Sequence, residues 1–305
     1  MAPPHVSAYT PSRACYSCPQ TRGEKDINAE VQDLRPTEGP LTPRQPRSVG
    51  VLRLSARPGA RIGRLHQSGS LKALFPASRQ QTLNAVFLNT SGGVTGGDRF
   101  SIEAEAEEGA QLMLTSQAAE RLYRAQPDET GRMDIALRVG AGGRLDWLPQ
   151  ETILFDGARV ARDFSVDLAP DARFLAVEPL LSGRLAMGEY VTSGMISDRW
   201  RLRRDGRLVF ADNFRLSGDV EAQLAEPAVT GGNRALAAIL YAAPGAEALL
   251  APLRAALGPL GGASLVAEDL LFARIVAEDG YMLRQRLIPA ITRLSGQDIP
   301  KTWTL

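Results

Sequence analysis

The segment MDIALRVGAGG, residues 133–143, decides the fold class of this chain. Apolar residues occupy every second position of its first seven residues, which is the period of a strand with one buried face. These apolar residues are Met133, Ile135, Leu137 and Val139. The glycine-rich end predicts a tight turn, so the segment is interpreted as a half-buried strand that stops abruptly.

The combination of an alternating strand and a short turn recurs along the chain. FSVDL (164–168) is followed by the turn signal APDA and then by the strand pattern RFLAVE. Asp205-Gly206 lies between two strand patterns and predicts a hairpin, because type I′ turns need positive φ at both central residues. Asp279-Gly280 predicts a further strand pair. Since no helix separates most of these short strands, we expect them to be largely antiparallel.

Helical spacing appears only toward the C-terminus. GNRALAAILYAA (232–243) and AEALLAPLRAAL (246–257) have apolar residues at i, i+3 and i+4, with Asn233 as N-cap and Gly258 as stop. YMLRQRLIPAITRL mixes helical spacing with Pro289, which should end or kink a helix. The expected fold is therefore mainly β, with two or three helices toward the C-terminus.

Composition narrows the function classes. The 305 residues carry a formal net charge of +1, which lacks the basic excess of a nucleic-acid-binding protein. There is no apolar run of about 18 residues or more, and no apolar core of a signal peptide at the N-terminus. Two cysteines in the whole chain fit a reducing compartment. We expect a cytoplasmic protein that binds neither membrane nor nucleic acid.

Residues 1–48 differ from the rest of the chain. They are rich in Pro, Ser, Thr, Arg and Gln and have no sustained periodicity, which predicts a disordered or loosely docked extension before a single domain at 49–305. Cys15 and Cys18 form a lone C-x-x-C there, which could supply two thiolates to a metal. Because no second pair follows at zinc-finger spacing, incidental cysteines are the favoured interpretation.

The stretch LNTSGGVTGGDRF, residues 88–100, contains two glycine pairs. The four glycines are Gly92, Gly93, Gly96 and Gly97. They fit no dinucleotide fingerprint, and the Lys and Ser/Thr of a P-loop are replaced by Asp98 and Arg99. The residues that follow alternate as in a strand, so no helix N-terminus faces an anion. We interpret the stretch as a tight connection between strands that aims Asp98 inward.

Residues with catalytic potential are few. His66 is the only histidine beyond the first 48 residues, and it is interpreted as a loop or surface residue. No cysteine follows Cys18 and no G-x-S-x-G motif is present, which excludes a Cys–His nucleophile in the core and a nucleophile elbow.

Carboxylates in apolar segments are more informative, because burying them is costly unless they are paired, hydrogen-bonded or bound to cations. The six candidates are Asp98, Glu151, Asp156, Glu178, Glu189 and Asp212. One interpretation pairs them with arginines such as Arg99, Arg159, Arg184 and Arg215. The other makes them the oxygen ligands of a polar path for cations.

Five stretches in order resemble the UreD family of urease accessory proteins, called UreH in some organisms. They are LNTSGGVTGGDRF, LTSQAAERLYRA, LDWLPQETILFDGARV, GRLAMGE and YMLRQRLIPAITRL followed by PKTW. The resemblance covers the chain from about Val51 to Leu305. It implies stacked, β-helix-like sheets and a scaffold, not an enzyme, that binds apo-urease together with UreF and the nickel-carrying GTPase UreG. It leaves open a homodimer within that complex.

The resemblance further implies that the chain assists delivery of Ni²⁺ into the dinuclear site of urease. The six acids then become candidates for the lining of a nickel passage, with Asp98, Glu178 and Asp212 ranked first. Because Ni²⁺ binds nitrogen and sulfur ligands tightly, a core with one histidine and no cysteine fits transient Ni²⁺ and no tightly bound cofactor. Two alternatives stay open: a purely structural scaffold that holds or opens urease, and a stand-alone hydrolase with two carboxylates about 5–10 Å apart.

Overall fold

The computed structural model describes residues 47–77, 81–184 and 187–304. The proposed extension at 1–48 lies outside these ranges except for its last two residues, and so do Cys15 and Cys18. The strands within them are β1 (Val49–Arg57), β2 (Arg61–Gly69), β3 (Leu71–Leu74), β4 (Thr82–Asn89), β5 (Arg99–Ala106), β6 (Gln111–Ser116), β7 (Glu120–Leu122), β8 (Gly131–Val139), β9 (Arg144–Leu148), β10 (Thr152–Leu154), β11 (Arg159–Leu168), β12 (Arg173–Ser182), β13 (Gly194–Arg204), β14 (Arg207–Gly218), β15 (Ala235–Ala242), β16 (Gly261–Ala267) and β17 (Leu270–Ala277). The α-helices are α1 (Val220–Ala225), α2 (Leu250–Leu257) and α3 (Gly280–Ser295), and 3₁₀ turns span Ala246–Leu249 and Lys301–Trp303.

Two sheets pack face to face. The first has the strand order β14-β13-β11-β8-β5-β1-β2. The second runs β16-β17-β15-β12-β9-β6-β4-β3, with β10 beside β12 and β7 beside β10. The apolar face predicted for residues 133–139 points into the space between the sheets, where Trp147 of β9 packs on Phe164 of β11 with ring centroids 5.9 Å apart. A second core lies on the other side of the second sheet, under α2 and α3.

The chain coils between the two sheets. From β4 to β13 it alternates between them, with the short strands β7 and β10 added to the second sheet, so a strand pairs with the strand one coil earlier and runs in the same direction. In the first sheet β5, β8, β11 and β13 are parallel, and in the second β4, β6, β9 and β12 are parallel. Antiparallel pairs join β1 to β2, β3 to β4 and β13 to β14, and extend the second sheet from β12 through β15 and β17 to β16.

The prediction of a mainly β fold of stacked, β-helix-like sheets with helices toward the C-terminus is confirmed. The expectation of largely antiparallel strands is wrong. Its cause is the short turns at 107–110, 140–143 and 169–172, which connect strands of opposite sheets instead of neighbours in one sheet. The hairpin at Asp205-Gly206 is confirmed: both residues have positive φ, 51° and 72°, and they join β13 to β14.

Two predictions near the C-terminus are wrong. GNRALAAILYAA forms the strand β15, and Asn233 lies in the preceding loop, where its amide donates to the carbonyl of Thr230 at 2.7 Å. Since β15 is covered on both faces, its apolar residues are nearly continuous and imitate helical spacing. Asp279-Gly280 starts a helix, because the Asp279 carboxylate accepts from the N–H of Met282 at 2.8 Å and caps α3.

The prediction of a helix at 246–257 holds, whereas Pro289 does not end the last helix. AEALLAPLRAAL forms the first 3₁₀ turn and α2, and Gly258 ends it with φ 71°. Helix α3 continues through Pro289 as far as Ser295. Within the described ranges, no helix combines the length and the apolar run that crossing a bilayer requires.

Candidate functional site

The connections from the second sheet to the first are long and meet at one end of the coil. We call this the long-loop end; it comprises loops 90–98, 117–130, 149–158 and 183–193, the last described except for 185 and 186. Successive loops are joined by backbone hydrogen bonds. Tyr123 donates to the carbonyl of Val94 at 2.7 Å, Phe155 to that of Leu122 at 3.1 Å, and Gly183 to that of Leu154 at 2.8 Å.

The long-loop end therefore brings together sequence stretches that are far apart along the chain. Four of the five stretches that carry the family resemblance contribute to it: the glycine stretch, LTSQAAERLYRA, LDWLPQETILFDGARV and GRLAMGE. In the coil, binding residues on such loops are held by a rigid ladder of strands behind them.

Asp98 lies buried below the glycine stretch. Its carboxylate accepts from the N–H of Ser48 at 2.6 Å and from the N–H of Thr95 at 2.9 Å, so it ties the start of β1 to the loop. A side chain at Gly93 would meet the ring of Tyr123 and lie 2.6 Å from the carbonyl oxygen of Arg121. Only glycine allows the two loops to approach this closely.

Glu120 lies beside the glycine stretch, in β7, and was missed by the sequence reasoning. The amide of Asn89 donates to its carboxyl at 3.3 Å, and no ion pair reaches this carboxyl from residues in the described part of the chain. Burial raises the pKa of Glu120 to about 7, against the opposing effects of Asn89 and Arg121, while Asp98 adds to the increase. Its sequence neighbour Arg121 suggests a local pair, but consecutive strand residues point to opposite faces.

Asp156 joins two loops of the long-loop end. Its carboxylate accepts from the N–H of Ser193 at 2.9 Å and the hydroxyl of Thr192 at 3.2 Å, and Arg124 donates to it as well. Desolvation acts to raise the pKa of Asp156, but these hydrogen bonds to the charged form outweigh it and the pKa falls below its ordinary value.

Glu189 is held in the same loop region by Arg184, with hydrogen bonds of 2.7 and 3.2 Å. These hydrogen bonds lower the pKa of Glu189 despite partial desolvation. The guanidinium of Arg184 also lies 4.3 Å from the ring centroid of Phe155, which belongs to the neighbouring loop. Both charged side chains thus have structural partners.

Glu178 belongs to a charged cluster buried between the two sheets. It accepts from the indole N–H of Trp147 at 2.6 Å and from the guanidinium of Arg162. Arg162 also donates from Nε to Asp198 at 3.0 Å, so one guanidinium bridges two carboxylates from opposite sheets. Burial raises the pKa of Glu178, an effect that Arg162 opposes and Asp198 reinforces.

The Asp212 side chain lies next to the charged cluster of Glu178 and Arg162. Its carboxylate accepts from Arg274 at 2.6 Å, and both side chains line, with Glu178, a cavity of about 20 Å³. That volume holds about one water molecule. The structure thus brings Glu178 and Asp212 together, and adds three charged residues that sequence reasoning missed: Arg162, Asp198 and Arg274.

Glu151 lies apart from that cavity, on the side of the second sheet that faces α3. Arg284 donates to both of its carboxylate oxygens, at 2.6 and 2.8 Å, and also to the carbonyl of Trp303 at 3.0 Å. The pair therefore fixes α3 and the C-terminal 3₁₀ turn to the sheet.

The six candidate acids occupy three places. Asp98, Asp156 and Glu189 lie at the long-loop end, Glu178 and Asp212 line the interior cavity, and Glu151, on loop 149–158, directs its side chain toward α3. Among the four arginines named as partners, only Arg184 pairs with one of these acids within the described residues. His66 is exposed on β2, as expected. In the described part of the chain, no group of three His, Cys, Asp or Glu residues is arranged to hold a metal ion.

Comparison with known proteins agrees with the five sequence stretches. The family model described as UreD urease accessory protein matches residues 48–304. A protein of Ruegeria pomeroyi named Urease accessory protein UreD is 48% identical over 244 residues, which are 80% of this chain and 95% of the relative. Proteins of the same name from Roseobacter denitrificans and Mesorhizobium japonicum are each 45% identical, over 86% and 85% of this chain and 96% and 95% of their own lengths. The chain belongs to the UreD family of urease accessory proteins.

Proposed function

We propose that this protein is a non-catalytic scaffold of urease maturation that binds apo-urease together with UreF and UreG and passes Ni²⁺ through its interior toward the dinuclear site of urease. Membership of an accessory protein family supports the role in urease maturation. The observation that carries the nickel path is the cluster of buried Glu178 and Asp198 with half-buried Asp212 around a small cavity between the sheets.

Passage requires sites that bind Ni²⁺ and then release it. Carboxylate oxygens bind this ion less tightly than imidazole or thiolate ligands do. In the cluster, the guanidinium of Arg162 already pairs with both Glu178 and Asp198, so an entering cation must compete with it for the same oxygens. Such competition keeps binding weak and transient, which suits a conduit.

The long-loop end is the surface we propose for partner proteins. It exposes Tyr123, Met187 and Tyr190 to 37, 75 and 54% of their full areas. Aromatic residues and methionine are enriched in the cores of protein interfaces relative to other surfaces. Their presence on two of the four linked loops favours a scaffold that engages other proteins there.

The hydrolase alternative has less support. It needs two acids about 5–10 Å apart in a cleft open to substrate. Glu178 and Asp212 are the candidate acids that share a cavity, and its volume of about 20 Å³ is too small for a sugar ring.

The test uses Glu178→Gln, co-expressed with urease, UreF and UreG. The amide oxygen of Gln still accepts from Trp147, whereas the negative charge next to Arg162 is lost. We expect the partners to be recovered in pull-downs and the nickel content of purified urease to fall several-fold. The matched control is Glu103→Gln, which removes an exposed acid of β5 that pairs with Arg53 of β1. It should leave both readouts unchanged.

The outcomes separate the alternatives. Normal nickel content in urease with Glu178→Gln would favour a scaffold that holds or opens urease without conducting nickel. Failure of the unmodified chain to recover urease, UreF or UreG would refute the proposed function as a whole.

A further inference from the structure

The Glu120 carboxyl lies in a pocket of about 190 Å³ at the long-loop end. We call it the Glu120 pocket; its lining also includes Phe87, Leu88, Asn89, Gly92, Ala118 and Arg121. The walls are mostly small or apolar, and Ala118 and Gly92 are exposed at its rim. Glycine and alanine leave room for another chain to approach the carboxyl closely.

The hydrogen-bonding capacity of this carboxyl is partly unused. Two carboxylate oxygens can accept about four hydrogen bonds, whereas this carboxyl receives the amide of Asn89 at 3.3 and 3.5 Å and the backbone N–H of Arg121. At the same end, Asp156 and Glu189 each have an arginine and shorter hydrogen bonds, and Asp98 accepts from two backbone N–H groups at 2.6 and 2.9 Å. Arg121 lowers the pKa of Glu120 through its charge, but it is exposed and forms no ion pair with this carboxyl in the described part of the chain, so a partly buried carboxylate remains without a direct cationic partner.

The chemistry favours an organic cation over a metal ion. A single carboxylate with one amide is a sparse ligand set for a divalent ion, and the described residues contain no metal-binding group of three acids, histidines or cysteines. Lysine and arginine combine a cationic head with a long apolar stem. Phe87, Leu88 and Ala118 can contact such a stem while Glu120 binds the head.

We propose that the Glu120 pocket is a socket for a lysine or arginine side chain of a partner protein. The inference rests on the proposed function, because it makes the long-loop end a surface of the maturation assembly. It assigns to that surface a specific anchor of complementary charge. Truncating one side of such a buried pair weakens binding through faster dissociation.

The experiment measures affinities of the purified chain for apo-urease, UreF and UreG, near pH 8, with Glu120→Gln and Glu120→Lys. We expect one partner to bind Glu120→Gln about tenfold or more weakly than the unmodified chain, and Glu120→Lys more weakly still. Glu103→Lys, on the outer face of β5, is the matched charge-reversal control and should bind like the unmodified chain. Thermal melting of each variant shows that a loss of affinity does not come from unfolding.

Several results would refute the proposal that the Glu120 pocket binds a lysine or arginine side chain. Unchanged affinity of Glu120→Gln for all three partners would do so, as would a Glu120→Lys variant that binds at least as well as Glu120→Gln. Titration of the chain with Ni²⁺ that gives a site lost in Glu120→Gln would assign the pocket to metal. If every partner binds the unmodified chain and both Glu120 variants equally, the inference fails while the proposed function stands. If none binds the unmodified chain, both fail.

Discussion

Replacing Glu120 with Gln should stabilise the fold at neutral and alkaline pH. The pKa of Glu120 is raised from 4.5 to about 7 in the folded chain, so the folded state holds this proton more tightly than the unfolded state does. The stabilisation that this proton gives to the folded state is fully present below about pH 4.5 and is lost as the pH rises through 7. Gln stays neutral over this range and still accepts from Asn89.

The increase in the pKa of Glu120 determines how much the substitution stabilises the fold. At 1.36 kcal/mol for each unit of pKa, the increase to about 7 corresponds to an upper limit of about 3 kcal/mol in the free energy of unfolding. Urea unfolding near pH 8 should therefore show Glu120→Gln to be more stable than the unmodified chain by up to that amount. Near pH 5 the difference should shrink to about 1 kcal/mol or less.

The control variant is measured by the same urea unfolding near pH 5 and pH 8. Glu103→Gln removes an exposed acid, and its stability should stay within about 0.5 kcal/mol of the unmodified chain at both pH values. If Glu120→Gln differs from the unmodified chain by the same amount at both pH values, the proton on Glu120 does not distinguish folded from unfolded chains. The interpretation of its burial would then be wrong.

Three further substitutions test contacts that hold the loops and the helical layer. Gly93→Ala should lower the melting temperature much more than Gly92→Ala, because a Cβ at Gly93 lies 2.6 Å from a backbone carbonyl oxygen whereas one at Gly92 meets no atom within 4 Å; calorimetry of both variants measures the difference. Arg284→Met should cost about 3–5 kcal/mol in urea unfolding, since it leaves the Glu151 carboxylate buried without its ion pair; a loss below about 1 kcal/mol would contradict this. Asp98→Asn should cost about 1–3 kcal/mol in the same assay, because an amide offers only one acceptor oxygen to two backbone N–H groups.

Sequence periodicity predicted the strands better than their pairing. Alternation located β8, β11 and β12 because each has a face toward the apolar core. The direction of pairing is not visible in this pattern, since the period of two is the same in parallel and antiparallel sheets. A short turn is equally uninformative, because it can join neighbours in a sheet or strands of two facing sheets. Only the coil as a whole determines which occurs.

The charged sites were predictable to a different extent. An acid in an apolar segment, such as Glu178 in RFLAVE, is conspicuous because its burial is costly. Its partner Arg162 comes from a strand of the other sheet, and Arg284 reaches Glu151 from a helix 133 positions away in the sequence. Asp198 and Glu120 are each followed by an arginine along the chain, which conceals their positions in the fold. Pairing across sheets leaves no local pattern.

The hairpin at Asp205-Gly206 offers a place to attach a reporter. Its two central residues are exposed, and a Cβ at Gly206 would meet no atom within 4 Å. β13 spans 11 residues between the long loops and this tip, a separation of about 35 Å at 3.3 Å per residue. A fluorophore or affinity tag inserted there would lie at the opposite end of the strands from the long-loop end. Binding at those loops could then be followed on an immobilised chain whose long-loop end stays free.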